Sequence, residues 1–268
     1  MLVDFHAHIY DEPDYARMLA ETAQNLGFDK LCIGGGEARY GMSSNEEALR
    51  CGESYPDLFV PFAHVRLGQD GPHEVAQFGR MGFRGLRVSA PPAPYDAPQF
   101  FAVYEAACAL GMPVLCHTGF LPATKLDRAL DVRSEHTRPV YVDTLARQFP
   151  ELKIVGCGLG GPWYEEASET LRRQKNVYFD LSGRSLRHKG VPFFRSLLGS
   201  EAGSVLGNPE GRAVWSKIMF GTGVRHEEIA SVERDYQRLF RVLALPEEIV
   251  ADIMGGNAAR LIGQAEGS

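Results

Sequence analysis

The sequence predicts a single (β/α)8 barrel, and three observations predict it. Eight short apolar runs alternate with amphipathic segments along the whole chain of 268 residues. One run and one amphipathic segment together take roughly 33 residues, and barrels of this class take about 250 residues in all. Glycine or proline separates many of these segments, as at Gly27, Gly82, Gly111 and Pro150.

The apolar runs are mostly rich in Val, Ile, Leu or Phe, which is typical of strands buried on both faces of a parallel sheet. They predict strands at residues 2–6, 30–33, 59–65, 83–88, 113–117, 153–157, 177–181 and 218–221. The amphipathic segments carry apolar residues three and four positions apart, which predicts helices. These segments are residues 14–26, 45–55, 72–81, 98–110, 139–149, 165–175 and 227–243.

A doubly wound open sheet is the alternative fold, but it usually carries a glycine-rich turn after its first strand. Here the first strand ends in His6-Ala7-His8 instead, which favours the barrel. Two long connections, residues 118–138 and 183–215, follow strands and therefore begin at the carboxyl end of the barrel. We expect them to cover an active site of one domain that spans residues 1–268.

Composition narrows the class of protein. The chain has 28 Lys+Arg and 34 Asp+Glu, a formal charge of −6, and 44% hydrophobic residues. This balance disfavours disorder, nucleic acid as a partner and a membrane-spanning chain. The five cysteines are odd in number and scattered, and the segment MLVDFHAHIY lacks the features of a secretory signal. A cytoplasmic protein is expected.

The pair His6 and His8 carries the clearest chemical signal. Residues two apart on a strand face the same way, so both imidazoles are expected at the mouth of the barrel. Two adjacent imidazoles supply half of a site for zinc or a similar divalent ion. His117 ends the apolar strand of Gly-Met-Pro-Val-Leu-Cys-His-Thr-Gly, a position that is typically functional in a barrel.

Six segments, in order along nearly the whole chain, resemble the amidohydrolase superfamily, in particular its branch related to aminocarboxymuconate-semialdehyde decarboxylase. The segments are DFHAHI at 4–9, GMPVLCHTG at 111–119, FPELKIVGCGLGGPW at 149–163, VYFDLSG at 177–183, KIMFGTG at 217–223 and GGNAARLIG at 255–263. The resemblance implies a barrel that uses one divalent metal, usually zinc, on small carboxylic acids, lactones or esters. It implies His6, His8 and His117 as metal ligands, and homodimers are common among similar proteins.

The sequence departs from the family pattern at two positions. The family has an acid/base histidine after the sixth strand where this chain has Gly158. It has a metal-binding aspartate after the eighth strand where this chain has Gly223. The resemblance therefore implies a metal site that is impaired, differently equipped or empty.

Three side chains are candidates to replace the missing catalytic groups. His226 and Glu227 follow Gly223 in the same loop, although Glu227 also suits the first turn of the following helix. Asp180 lies near the end of the seventh strand, and the alternation of side chains along that strand leaves open whether it faces the barrel interior. Strand alternation predicts that Cys157 points away from the interior, toward the helices.

Candidate substrate contacts are Arg87, Trp163 and His64. Arg87 lies near the end of the fourth strand and could bind a carboxylate through two hydrogen bonds, or form a structural ion pair. Trp163 could line an aromatic or apolar pocket, or it could serve only in packing. His64, near the end of the third strand, is a further candidate for the interior.

Three functions remain open on the sequence alone. The first is a metal-dependent hydrolase or non-oxidative decarboxylase that acts on a small substrate bearing a carboxylate or a lactone or ester group. The second is a barrel that has lost catalysis and acts as a binding or regulatory protein. The third is a metal-independent enzyme that uses the space left by Gly158 and Gly223, although no nucleophile–base pair is evident.

Overall fold

A computed structural model describes residues 1–183, 188–199 and 209–263. Eight parallel strands form one sheet in which each strand pairs with the next along the chain. Their bounds are β1 Val3–His8, β2 Lys30–Gly34, β3 Phe59–Val65, β4 Gly85–Val88, β5 Val114–His117, β6 Ile154–Cys157, β7 Val177–Asp180 and β8 Ile218–Met219. Every predicted strand is present, although β1 is longer and β8 shorter than predicted.

Helices fill the connections between the strands. They are α1 Tyr15–Asn25, α2 Asn45–Ser54, α3 Pro72–Met81, α4 Phe101–Ala109, α5 Asp127–Leu130, α6 Pro139–Gln148, α7 Tyr164–Arg173, α8 Val191–Leu198, α9 Pro209–Trp215, α10 Ile229–Leu243, α11 Glu247–Ala251 and α12 Asn257–Leu261. Local signals explain their ends. The α2 helix begins where the Ser44 side chain accepts a hydrogen bond from the Glu47 amide, and α3 begins at Pro72 and ends at Gly82, whose φ is +103°.

Backbone hydrogen bonds close the sheet between its first and last strands. The Phe5 amide donates to the Phe220 carbonyl at 3.0 Å, and the Gly223 amide donates to the His6 carbonyl at 2.7 Å. Because the residues after β8 meet β1, the sheet is a barrel and the doubly wound alternative is wrong. The predicted fold is confirmed.

The apolar side chains form two layers. A large cluster lies between the sheet and the surrounding helices. A smaller cluster fills the inside of the barrel, and Leu261 and Ile262 near the chain's carboxyl end pack against it. Its strand members are Val3, Phe5, Cys32, Val60, Phe62, Leu115, Val155, Cys157 and Met219. The barrel interior is therefore packed below the site rather than hollow.

The first long connection, residues 118–138, lies over the carboxyl end of the barrel, where Phe120, Leu121 and Pro122 line a cavity. The second, residues 183–215, falls partly outside the described residues, so its predicted covering role is not tested. Among the described helices, none combines the length and the apolar character that crossing a membrane requires.

Candidate active site

A cavity of about 780 Å³ opens at the carboxyl ends of the strands. This volume lies within the range of roughly 300–1,000 Å³ that is usual for small-molecule sites. The histidine, arginine, serine and threonine side chains that line it come from several strands and the loops after them: His6, His8, His64, Arg87, Ser89, His117, Thr118 and Ser182. Among the described residues, no aspartate or glutamate lines it.

A register shift in β1 brings both histidines of the His-Ala-His motif to this cavity. Val3 and Phe5 belong to the inner cluster, so uninterrupted alternation would turn Ala7 inward as well. The pairing of β1 with β2 instead shifts between Asp4 and Ala7, and Ala7 packs in the outer layer. Bulges of this kind re-aim side chains near active sites. His6 and His8 therefore point into the cavity together, with ring centroids 4.8 Å apart.

Asp180 lies beside His6. Its Oδ2 is 2.8 Å from Nδ1 of His6. Its Oδ1 accepts hydrogen bonds from the Gly158 amide at 2.6 Å and from the amide and hydroxyl of Ser182 at 2.9 and 2.5 Å. Tyr178, two residues earlier on β7, packs with the inner cluster, so Asp180 faces the barrel interior. The carboxylate is fully buried and fixes the orientation of the His6 ring.

Arg87 lies beside His8. One guanidinium nitrogen donates to the carbonyls of Ala7 and Gly34 at 2.8 and 3.2 Å, and the other lies 2.7 Å from Nδ1 of His8. The side chain is 8% exposed and lines the cavity. The sequence left a structural ion pair open, but within the described chain no carboxylate lies at ion-pair distance from Arg87. Arg87 is therefore a buried cation to which no side chain of the described residues supplies a counter-charge.

His117 completes the group of three imidazoles that the sequence singled out. Burial, and then the neighbouring His6, lower the pKa of His117 to about 4. Burial, and then the charge of Arg87, hold the pKa of His8 well below its ordinary value. Both rings are therefore neutral at pH 7. Nε2 of His117 is buried and has no hydrogen-bond partner among the described residues.

Cys157 lines the cavity, so the prediction that it points toward the helices was wrong. Val155 and Cys157 share the inward face of β6, as Leu115 and His117 share that of β5. The thiol lies with His6 and Asp180 in a group whose candidate ligand atoms are all within 4.8 Å of one another. Burial raises the pKa of the Cys157 thiol well above its usual range.

Gly158 and Gly223 both line the cavity. Their φ values of +67° and +59° lie in the left-handed region that glycine tolerates best. A Cβ on Gly223 would lie 3.1 Å from Cε1 of His6, and a Cβ on Gly158 would lie 3.2 Å from the Ser182 carbonyl. Both glycines thus border the His6–Asp180 pair and add no side chain to it.

The structure separates the remaining candidates. His64 lines the cavity, with Nε2 3.4 Å from the Ser89 hydroxyl. Trp163 does not line the cavity itself. Its ring packs on Phe120, which lines the cavity.

His226 and Glu227 also lie outside the cavity lining. The His226 ring packs on Tyr15, and Glu227 is exposed near Arg225. Neither residue is placed where it could replace the missing catalytic groups.

Sequence reasoning missed Ser182 and Gly34. The Ser182 hydroxyl is 3.2 Å from Nδ1 of His6 as well as bonded to Asp180. Because Ser182 lies two residues after Asp180, strand alternation could have predicted that the two side chains share a face. A Cβ on Gly34 would lie 2.3 Å from Cδ of Arg87, so this glycine makes room for the arginine side chain. No sequence pattern indicated that contact, because the two residues are on different strands.

Two of the three predicted ligands, His6 and His117, have a ring nitrogen available for a divalent metal. Nδ1 of His6 faces the Asp180 carboxylate, which leaves Nε2 for a metal, as in carboxylate–histidine–metal arrangements. The unpartnered Nε2 of His117 is a second suitable donor, since a buried polar atom without a partner is costly. His8 is different because its Nδ1 already faces the Arg87 guanidinium. His6 and His117 fit as metal ligands.

A family model described as amidohydrolase matches residues 3–264. Comparison with curated proteins finds no match.

Solved structures share the fold over nearly the full chain. An uncharacterized TIM-barrel protein from Bordetella bronchiseptica is 20% identical, with 98% of each chain covered and a TM-score of 0.73. A probable 2-pyrone-4,6-dicarboxylic acid hydrolase from Acinetobacter baumannii, with citric acid bound, is 16% identical, with 98% of this chain and 99% of that chain covered and a TM-score of 0.62. A dihydroxybenzoic acid decarboxylase from a Polaromonas species, with manganese and 2-nitroresorcinol bound, is 17% identical, with 98% and 96% covered and a TM-score of 0.63.

Proposed function

The chain belongs to the amidohydrolase family, and from that premise we propose that it is a metal-dependent hydrolase or non-oxidative decarboxylase of small carboxylate-bearing molecules. Lactones and esters that carry a carboxylate are included in this class. The ion that we propose is zinc, held by His6 and His117. The proposed substrate is a small molecule rather than a nucleic acid, and a homodimer is the assembly we propose.

The buried guanidinium of Arg87 carries the proposal for the substrate. It is the one cationic lysine or arginine side chain among the described residues that line the cavity, and no carboxylate lines the cavity beside it. A desolvated guanidinium favours an anion, and its planar donors match the two oxygens of a carboxylate. A substrate carboxylate would supply the counter-charge that the described side chains do not.

We assign a separate role in the proposed reaction to each residue of the site. Arg87 binds and orients the substrate carboxylate, and the residues after β5 separate the cavity from bulk water on one side. Asp180 holds His6 in place through Nδ1. A divalent ion bound to His6 and His117 would polarise a substrate carbonyl or lower the pKa of a bound water. His117 is neutral at pH 7, so it presents a lone pair and not a second positive charge.

The test combines metal content with a substrate panel. We expect the purified protein, after incubation with zinc, to retain one ion per chain, and His117→Ala to lose it. We expect turnover of aromatic carboxylates or carboxylated lactones, and an increase in KM of roughly 100-fold or more in Arg87→Met, because a charged hydrogen bond is lost. Failure of zinc to bind the wild-type protein would refute the metal-dependent proposal. Equal KM values for the wild type and Arg87→Met would refute the proposed carboxylate contact.

A second candidate function is a binding or regulatory barrel with a degenerate active site. The observation that favours it is that Gly158 and Gly223 both border the His6–Asp180 pair and both lack a side chain there. In that case a carboxylate ligand would bind through Arg87 and dissociate without being chemically converted. Calorimetric titration with the same panel, followed by analysis of the products, separates this function from catalysis.

We propose that the protein is cytoplasmic. All five cysteines are free thiols, which supports a compartment that keeps thiols reduced. Expression as a fusion with a fluorescent protein, followed by fractionation, tests this location.

A further inference from the structure

Arg87 determines which nitrogen of His8 carries a proton. A guanidinium has five N–H donors and no acceptor, and it stays charged in proteins. At 2.7 Å from Arg87, Nδ1 of His8 must therefore accept with its lone pair. A neutral imidazole that accepts at Nδ1 carries its hydrogen on Nε2. His8 thus has an N–H group, and no lone pair, on its other ring nitrogen.

His6 has the opposite arrangement, although it is only two residues away. Its Nδ1 faces Asp180, whose other oxygen already accepts from the Gly158 amide and from Ser182. A carboxylate accepts hydrogen bonds, so in the neutral ring of His6 the hydrogen is on Nδ1 and the lone pair is on Nε2. Two histidines that look equivalent in the sequence are held as different tautomers by their partners.

The position of Arg87 does not depend on His8. Its other terminal nitrogen donates to the carbonyls of Ala7 and Gly34. The absence of a side chain on Gly34 leaves room for the arginine stem, since a Cβ there would lie 2.3 Å from Cδ. The guanidinium is therefore held by the backbone of β1 and β2, and His8 adapts to it.

We propose that His8 is a hydrogen-bond donor to a substrate oxygen and not a metal ligand, and that Arg87 is the positioning residue that enforces this role. The Nε2–H of His8 and the free donors of Arg87 together form a receptor for a carboxylate or carbonyl oxygen. Metal binding is left to His6 and His117. The inference rests on the proposed function for the identity of the substrate, but the tautomers follow from the protein alone.

Nitrogen NMR of metal-free protein labelled with 15N-histidine tests the tautomers without any substrate. We expect an unprotonated Nδ1 in His8 and an unprotonated Nε2 in His6, with signals assigned through His8→Asn and His6→Asn. Arg87→Met keeps an apolar stem but removes the donor, so the His8 signals should move toward those of a ring exchanging between tautomers. Arg87→Lys, which still donates, should preserve the His8 pattern. The same tautomer in both histidines, or no response to Arg87→Met, would overturn the inference.

Zinc titration by calorimetry tests the division of labour. We expect His6→Ala to weaken zinc binding by about 100-fold and His8→Ala to change it by less than about threefold, because only His6 contributes a ligand. Arg87→Met should strengthen binding, by about tenfold, because it releases Nδ1 of His8. Circular dichroism checks that each variant is folded.

The inference is wrong if His8→Ala weakens zinc binding as much as His6→Ala. If wild-type protein binds no zinc, the metal-dependent function fails, while the NMR experiment still decides whether His8 is a donor.

Discussion

The two sides of the cavity are equipped differently. On the arginine side, formed by His8, His64 and Arg87, the side chains that reach the cavity are a cation and neutral imidazoles. On the carboxylate side, formed by His6, Asp180 and Ser182, the negative charge is buried behind His6, and Gly158 and Gly223 contribute only backbone. The same strand, β1, supplies one histidine to each side. The difference supports the proposal that one side binds an anion and the other orients a metal ligand.

The largest expected effect is a loss of stability in acid, which tests whether neutral imidazoles are required. Burial lowers the pKa of both His64 and His117 from 6.5 to about 4. As the pH falls from about 6.5 to about 4, the unfolded chain takes up protons that the native protein does not, so the free energy of unfolding decreases. Each histidine contributes roughly 3 kcal/mol to that decrease.

Urea unfolding of metal-free protein across this pH range measures the decrease. His64→Asn should make the slope shallower, whereas His73→Asn, at an exposed position, should leave it unchanged. A stability that does not vary between pH 6.5 and pH 4 would contradict the burial of neutral histidines in the cavity.

The next effect concerns the carboxylate side. In Asp180→Asn the amide oxygen must stay with the Gly158 and Ser182 donors, so the amide NH2 faces Nδ1 of His6 and favours the tautomer whose hydrogen is on Nε2. We expect a loss of about 3 kcal/mol in the free energy of unfolding and weaker zinc binding. Asp57→Asn, at an exposed position, is the matched control and should change stability by less than about 0.5 kcal/mol. Equal stabilities for the two variants would show that Asp180 does not hold the site together.

A smaller effect is expected on the arginine side. In Gly34→Ala the new methyl group meets Cδ of Arg87 at 2.3 Å, so the arginine must move. We expect a loss of about 1–3 kcal/mol, as in overpacked cores, and a His8 signal in nitrogen NMR that shifts as in Arg87→Met. Gly71→Ala is the control, since its Cβ would meet only Oε2 of Glu74, at 3.5 Å. If Gly34→Ala behaves like this control, Arg87 is held less tightly than the contacts indicate.

Sequence patterns predicted the fold to within a few residues because each strand and helix carries its own local signal. Apolar runs and Gly or Pro boundaries located all eight strands, and the same patterns located the principal helices. The shift in β1 had no such signal, and simple alternation would have placed Phe5 and His6 on opposite faces. Alternation also failed for Cys157, because its orientation depends on how β6 is set in the barrel and not on the neighbouring Gly158.

The sequence by itself determined the barrel, the strand ends that carry functional groups, and the candidates His6, His8, His117 and Arg87. Only the tertiary structure decided which group faces each candidate, and a histidine's tautomer depends on the group facing its ring. Asp180 is 174 residues from His6 along the chain, and Arg87 is 79 residues from His8. The closure of eight strands brings these partners together, so two identical residues on one strand have side-chain partners of opposite kind.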